Sequence, residues 1–195
     1  MSSGNPETRR RILDAAWKML EQEEAPKVRM GDIARAAGIS RQALYLHFPT
    51  RADLLVATAR HVDEAKDVDS RLAPSRAAAS GSERLEAFIE AWGNYIPEIH
   101  GVVRGLLAMQ DADEAARAAW DDRMQAVRHG CAAAVDALAA EGALAEAMEP
   151  RRATDLLWTL LSVRNWEQLT LACGWSQDAY VAEMQRVARL ALTRP

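Results

Sequence analysis

Cysteine is scarce in this chain of 195 residues, and its two copies lie far apart. Cys131 and Cys173 each lack a second Cys or a His at the spacing that metal sites use. We therefore expect reduced, structural thiols rather than a disulfide framework. The sequence predicts no metal ion and no cofactor.

Long apolar runs are absent as well. The longest uncharged run, from Gln168 to Gln177, has ten residues, whereas about 20 apolar residues are needed to span a bilayer. No N-terminal apolar region resembles a signal peptide. We expect a cytoplasmic protein that has no membrane partner.

Catalytic motifs are also missing. The ten glycines are scattered and form no phosphate-binding loop, and the chain has no His-x-x-x-His pair and no Gly-x-Ser-x-Gly. No Cys and His are arranged as a nucleophile and its base. We predict that the protein is not an enzyme.

Hydrophobic residues make up 49% of the chain, which is enough for a packed core. The charged residues are distributed unevenly along it. Residues 1–60 hold ten Lys and Arg against seven Asp and Glu, a net charge of +3, and residues 61–195 carry −7. This asymmetry is typical of a nucleic-acid-binding head joined to an acidic body.

The stretch 33–55 has the pattern of two short helices joined by a tight turn. Gly38 follows good helix formers and can end a helix in the left-handed conformation. Ser40 can cap the next helix, in which Leu44 and Phe48 share one face. Pro49 ends that helix, and a capping box at residues 50–53 opens the following one. This pattern predicts a helix-turn-helix that reads the major groove of DNA.

The outward face of the second short helix carries the candidate DNA contacts. Arg41 can pair with guanine and Gln42 with adenine. Tyr45, His47 and Arg51 are better suited to phosphates. A basic run at residues 9–11 is either a solvated face or a further phosphate contact. The complete candidate set is Arg29, Arg35, Ser40, Arg41, Gln42, Ala43, Tyr45, Leu46, His47 and Arg51.

The segment Leu44-Tyr45-Leu46-His47-Phe48-Pro49-Thr50-Arg51-Ala52-Asp53-Leu54-Leu55 resembles the TetR-type transcriptional regulators. It is similar to their Leu-Tyr-x-x-Phe-Pro-Ser-Lys-x-x-Leu-Leu pattern. The chain departs from the family at Glu24-Ala25-Pro26 and Val28-Arg29, where a Gly-aromatic loop and a Thr or Ser cap are usual. Gly31 offers no side chain where relatives often contact DNA, and Arg29 and Arg35 are the candidate replacements.

The periodicity of the rest of the chain is helical throughout, so we predict an all-α protein of about nine helices. The expected domains are a three-helix DNA-binding head at 1–55, a connecting helix at 51–66, and a helical effector-binding and dimerisation domain at 67–195. Residues 67–82 are predicted as a loop or a partly helical connector. Later helices are expected from Ser82 to Ile96, 99–109, 114–142, 151–172 and from 177 onwards, with Pro97 as a break.

The resemblance implies a homodimer and a pocket for a small-molecule effector. The last two helices are apolar on more than one face, as a dimer bundle requires, although a helix central in its own domain would have the same pattern. The predicted interface residues are Leu157, Leu161, Arg164, Tyr180, Met184, Val187, Ala188 and Ala191. The predicted pocket residues, for which ordinary core packing is the alternative, are Trp92, Tyr95, Ile96, Ile99, His100, Val103, Leu107, Trp120, Met124, Trp158 and Asn165.

These observations predict a transcriptional regulator, most often a repressor in the resembled family, that binds an inverted-repeat DNA operator. An apolar or aromatic effector would release it. The alternative is a ligand carrier or interaction module whose head no longer recognises sequence, which the missing cap and Gly31 favour. A third, minor option is oxidative switching through Cys131 or Cys173.

Overall fold

The computed structural model describes residues 5–22 and 28–194, and within these the protein is all α, as predicted. The Glu24-Ala25-Pro26 segment lies outside the described residues. None of the described helices has the length and apolar character that a membrane crossing requires.

The helices are α1 (Pro6–Leu20), α2 (Met30–Ala36), α3 (Arg41–His47), α4 (Arg51–Ala65), α5 (Val68–Ala77), α6 (Gly81–Met109), α7 (Glu114–Ala140), α8 (Pro150–Leu160), α9 (Val163–Trp166), a π-helical segment (Glu167–Ala172) and α10 (Gln177–Leu192).

The chain divides into two compact units, and the first contains α1 to α4 together with residues 99–124. The starts of α1 and α4 are set by local side chains, as the sequence predicts. Asn5 accepts a hydrogen bond from the backbone of Glu7 at 3.0 Å, and Thr50 and Asp53 form the expected reciprocal capping box. These caps fix where α1 and α4 begin.

In the first unit, the end of α6 packs closely against the end of α1. A Cβ placed on Gly105 would lie 2.3 Å from the carbonyl oxygen of Leu20. Because any side chain at this position would collide with backbone, only glycine allows the two helices to approach this far. Residues 99–124, which the sequence prediction assigned to the C-terminal domain, therefore pack with the head.

The second unit comprises residues 67–98 and 125–195. Here the prediction of a helix break at Pro97 is wrong, because α6 continues through it. A proline has no N–H for the carbonyl four residues earlier, which is that of Gly93. The side chain of Gln177 donates to this carbonyl at 2.9 Å, so the oxygen that the proline leaves unpaired is satisfied from α10.

The prediction of one helix over 151–172 is also wrong, because α8 ends at Leu160. Asn165 donates through Nδ2 to the carbonyls of Thr159 and Leu160, and Ser162 accepts from the backbone of Asn165. Trp92 donates to the carbonyl of Leu161 at 2.8 Å. The polar groups exposed by the break are thus satisfied, and the chain continues as α9 and the π-helical segment.

The predicted connector at 67–82 contains a regular helix, α5. Asp67 occupies the cap position before it with φ of 54°, in the left-handed conformation. The loop alternative for most of this stretch is therefore wrong. The remaining long prediction, a helix from 114 to near 142, is confirmed by α7.

Candidate nucleic-acid interface

The turn between α2 and α3 has the geometry that its residues predict. Gly38 has φ of +68°, a conformation that glycine adopts without strain, and its chain neighbour Ile39 donates to the carbonyl of Ala34 at 3.0 Å. The hydroxyl of Ser40 accepts from the backbone N–H of Ala43 at 3.1 Å and caps α3. The Ser40 hydroxyl therefore has a structural role as the cap of α3.

The two faces of α3 differ sharply. Leu44 and Phe48 are buried in the first unit, whereas Arg41 and Gln42 are exposed at the start of the helix. Leu46 is 83% exposed, which is unusual for a leucine. The side of α3 that faces solvent therefore presents three hydrogen-bonding side chains, Arg41, Gln42 and Tyr45, and one apolar side chain, while Ala43 is half-buried.

Arg41 and Tyr45 lie one turn apart and contact each other. The guanidinium carbon of Arg41 is 5.7 Å from the centre of the Tyr45 ring, and its Nη2 donates to the phenol oxygen at 3.4 Å. The hydrogen bond that Arg41 donates to Tyr45 raises the pKa of Arg41, which stays charged. The ring orients the guanidinium without burying it.

The start of α2 has no side-chain cap, because Arg29 occupies the cap position. Asp32 in the first turn forms a salt bridge of 3.0 Å with Arg35. Apart from its chain neighbours and the backbone of its own helix, no described heavy atom lies within 4 Å of a Cβ built on Gly31. The absence of a side chain there leaves open space in front of the helix start.

This open space is part of a surface groove of about 440 Å³ between the start of α2, the start of α3 and the start of α4. Three arginines and one tyrosine, side chains that bind phosphate groups, converge on it together with two aspartates. The lining residues are Val28, Arg29, Met30, Gly31, Asp32, Arg41, Tyr45, Arg51 and Asp113.

Arg51 is the most constrained arginine of the groove. Its Nε donates to the carbonyl of Val28 at 2.6 Å, its Nη1 pairs with the carboxylate of Asp113, and its Nη2 lies 3.7 Å from the sulfur of Met109. Burial raises the pKa of Asp113, but the bonds from Arg51 and from two backbone N–H groups outweigh it, so that the pKa lies below its usual value. The predicted phosphate contact of Arg51 thus has a protein partner in this structure.

A second arginine supports the end of α3. Arg9 lies 4.2 Å from the centre of the Phe48 ring, and its Nη1 donates to the carbonyl of His47 at 3.3 Å. Arg10 and Arg11 are exposed beside it. The basic run at the start of α1 is therefore adjacent to α3, with Arg9 bound to the end of that helix and Arg11 bound to Thr8 within α1.

The predicted effector-site residues are divided between the two units. Trp92, Tyr95, Ile96, Trp158 and Asn165 belong to the second unit, and Ile99, His100, Val103, Leu107, Trp120 and Met124 belong to the first. Several have structural partners: the ring of Trp92 meets that of Tyr95 edge-on at 6.1 Å, and Asn165 caps α8. The described residues contain no group of three potential metal ligands around His100 or elsewhere.

Most of the predicted interface residues are interior. Leu157, Leu161, Tyr180, Met184 and Ala188 are buried within the second unit. A side chain without exposed surface cannot contact a second copy, so these five are core residues here. Arg164 is exposed, and Val187 and Ala191 are half-buried. The exposed apolar side chains of this unit are Leu156, Leu171, Trp175 and Leu190.

The sequence prediction missed Asp113, whose carboxylate lines the groove and holds Arg51. Asp113 also accepts from the backbone of Ala115 and Ala116, so it caps α7. Its position before that helix identifies the cap from sequence alone. Its contact with Arg51, 62 residues away, has no local signal.

Together, the glycine turn, the capped α3 and its exposed polar face define a helix-turn-helix domain. Residues 12–58 match the model of the family described as "Bacterial regulatory proteins, tetR family". This match covers about a quarter of the chain, and over these residues the protein is similar to the TetR family of helix-turn-helix regulators.

Known relatives match the head in sequence and the whole chain in fold. The HTH-type transcriptional repressor LfrR of Mycolicibacterium smegmatis is 48% identical over 63 residues, which are 32% of each chain. The chain thus matches about a third of that relative. A TetR transcription regulator from Haloarcula marismortui has a TM-score of 0.69 at 16% identity, covering 97% of this chain and 100% of the other. The regulator FadR from Bacillus subtilis, solved with stearoyl-CoA, has a TM-score of 0.74 at 14% identity, covering 93% and 98%.

Proposed function

We propose that the protein is a transcriptional repressor that binds an inverted-repeat operator as a homodimer and is released by an apolar or aromatic small molecule. The observation that carries the DNA-binding part is the exposure of Arg41 and Gln42 at the start of a helix whose other face is buried. These are the side chains that pair with guanine and adenine edges in the major groove.

The groove beside α3 supports a phosphate contact next to the base contacts. Arg29 is exposed at the start of α2, and Gly31 leaves room for the DNA backbone to approach. Phosphate contacts fix the register of a reading helix without selecting sequence. In this proposal, Tyr45 orients Arg41 toward the bases, and Arg29 holds the adjacent phosphate.

Dimerisation is part of the proposal because one head contacts only about half a turn of DNA. Two heads at a fixed separation double the recognised sequence and require half-sites on one face of the duplex. The exposed side chains Leu171 and Trp175, which flank Cys173 in the second unit, are candidate contacts for the second copy. Leu156 and Leu190 extend the set of exposed apolar side chains.

For the effector, the proposal names a chemical class, an apolar or aromatic small molecule. FadR from Bacillus subtilis was solved with stearoyl-CoA, a ligand with a long apolar chain. The predicted lining of this protein is mostly apolar and aromatic, with His100 and Asn165 as polar groups. An effector would act through its difference in affinity between the DNA-bound and the free form.

Selection from a pool of random DNA duplexes tests the DNA-binding part. The wild-type protein should enrich an inverted repeat, and Arg41→Ala/Gln42→Ala should lose the enrichment while remaining folded. A control that removes two exposed arginines elsewhere, Arg151→Ala/Arg152→Ala on α8, should retain it. A ligand carrier would enrich no sequence from the pool.

The effector part needs a separate measurement on the selected duplex. Fluorescence anisotropy of the labelled complex should fall when stearoyl-CoA or the apolar dye 1-anilinonaphthalene-8-sulfonate is added, if either binds the free form better. Trp158→Ala should weaken this response without changing the affinity for DNA. An anisotropy that neither probe changes would contradict release by these two apolar compounds.

A further inference from the structure

We propose that Asp113 competes with the DNA backbone for Arg51 and thereby sets the affinity of the head for its operator. This inference rests on the proposed DNA-binding function and concerns regulation of the same groove. Its basis is that a carboxylate from the connection between α6 and α7 lines a groove that also contains three arginines.

The first step is the position of Arg51. Its side chain is 21% exposed, and each of its three guanidinium nitrogens has a partner within the first unit. The Val28 carbonyl that it binds lies two residues before α2 begins. Arg51 therefore stands between the start of α2 and the start of α7, at the edge where a phosphate would enter.

The second step is the charge of the groove. Asp32 and Asp113 both line it, but Asp32 forms its salt bridge with Arg35, which is not among the lining residues. The bond with Asp113 offsets the charge of Arg51, and a phosphate brought into the groove meets a carboxylate near it. Binding DNA through Arg51 then requires the guanidinium to exchange one anion for another.

The third step is that the exchange is geometrically simple. The bond from Arg51 Nε to Val28 can persist while Nη1 leaves Asp113, because a guanidinium offers donors in a fixed fork. Asp113 keeps its bonds from the backbone of Ala115 and Ala116, so α7 stays capped. Only one ion pair is broken when a phosphate takes its place.

The variant Asp113→Asn isolates this effect. Asparagine also caps helices, so α7 should keep its start, while the negative charge that competes for Arg51 is removed. We expect the affinity for the selected operator to rise on the order of tenfold at low salt, the factor supplied by one charge-assisted hydrogen bond. Circular dichroism checks that the variant is folded.

A double-mutant cycle with Arg51→Ala separates competition from a general charge effect. If Asp113 acts through Arg51, Asp113→Asn should change the affinity by less than about twofold in the Arg51→Ala background. An equal rise in both backgrounds would overturn the inference, as would a loss of affinity in Asp113→Asn. If the wild-type protein forms no sequence-specific complex, the proposed function fails instead.

Discussion

Two helix contacts in this protein are built in opposite ways. In the first unit, α4 and α7 are joined by ion pairs of Arg51 with Asp113, Arg60 with Asp122 and Asp63 with Arg123. The first two pairs are nine residues apart on both helices, so the helices run in the same direction. The two pairs at matching spacing fix the register of this contact, and the pair of Asp63 with Arg123 adds a third ion pair beside them.

In the second unit, α6 and α10 run in opposite directions and are joined mainly by neutral groups. Gln177 binds the carbonyl of Gly93, while Gln185 binds that of Glu86 farther back along α6. A Cβ on Gly93 would lie 3.0 Å from the side chain of Val181. The salt bridge of Glu86 with Arg189 is exposed and contributes little. Salt and acid should therefore weaken the first contact and leave the second nearly unchanged.

The largest effect is expected at Gln177. Replacing it by alanine removes the donor to Gly93 and the acceptor for the indole N–H of Trp166. Two groups away from bulk water then lack this partner, and we expect a loss of about 2–3 kcal/mol in the free energy of unfolding. Urea denaturation measures it, and the loss should be equal in low and high salt.

The control for this prediction is Pro97→Ala. Alanine restores the N–H that can donate to the Gly93 carbonyl within α6, so Gln177→Ala should cost less in that background. Equal losses in both backgrounds would mean that Gln177 does not compensate for the proline.

The range of each interaction explains what the sequence predicts and what it does not. The caps at Ser40, Thr50 and Ser176 bind backbone within three residues, and these helix starts are predictable from sequence. Gln177 and Gly93 are 84 residues apart, and without their contact Pro97 indicates a break. The exposed polar face of α3 depends on local residues and is predictable from sequence, whereas the contact of Arg51 with Asp113 joins residues 62 positions apart and is not.

A smaller effect is expected from removing a charge between α4 and α7. Asp122→Asn takes the carboxylate from Arg60 and Arg123, which bind it at 2.5 and 2.7 Å. Because the network is only partly buried, we expect the free energy of unfolding to fall by about 1 kcal/mol at low ionic strength. The loss should be smaller in 1 M salt. Thermal unfolding at two salt concentrations tests it. Destabilisation that salt leaves unchanged would show that the contact is held by packing.

Acid should act on the same contact. The hydrogen bond from Arg60 lowers the pKa of Asp122 against the opposing effect of burial, and the pKa of Asp113 is also lowered. A carboxyl group whose pKa is lowered by folding stabilises the folded state at pH values above its unfolded-state pKa of about 3.9. This stabilisation is lost as the pH falls through the lower, folded-state pKa. The melting temperature of wild type should thus fall more steeply below pH 4 than that of Asp113→Asn/Asp122→Asn. Parallel curves would contradict this.

The smallest effect is expected at Tyr180, on α10 of the second unit. Its hydroxyl is buried, and the structure gives it no hydrogen-bond partner among the described residues; burial alone raises its pKa. Because this hydroxyl makes no hydrogen bond, removing it breaks none. Tyr180→Phe should therefore leave the free energy of unfolding unchanged or raise it by up to about 1 kcal/mol. Thr154→Val is the matched control, because its buried hydroxyl donates to the carbonyl of Pro150 at 2.9 Å. Valine there should destabilise in urea denaturation, and a comparable loss in Tyr180→Phe would mean that this hydroxyl has a partner after all.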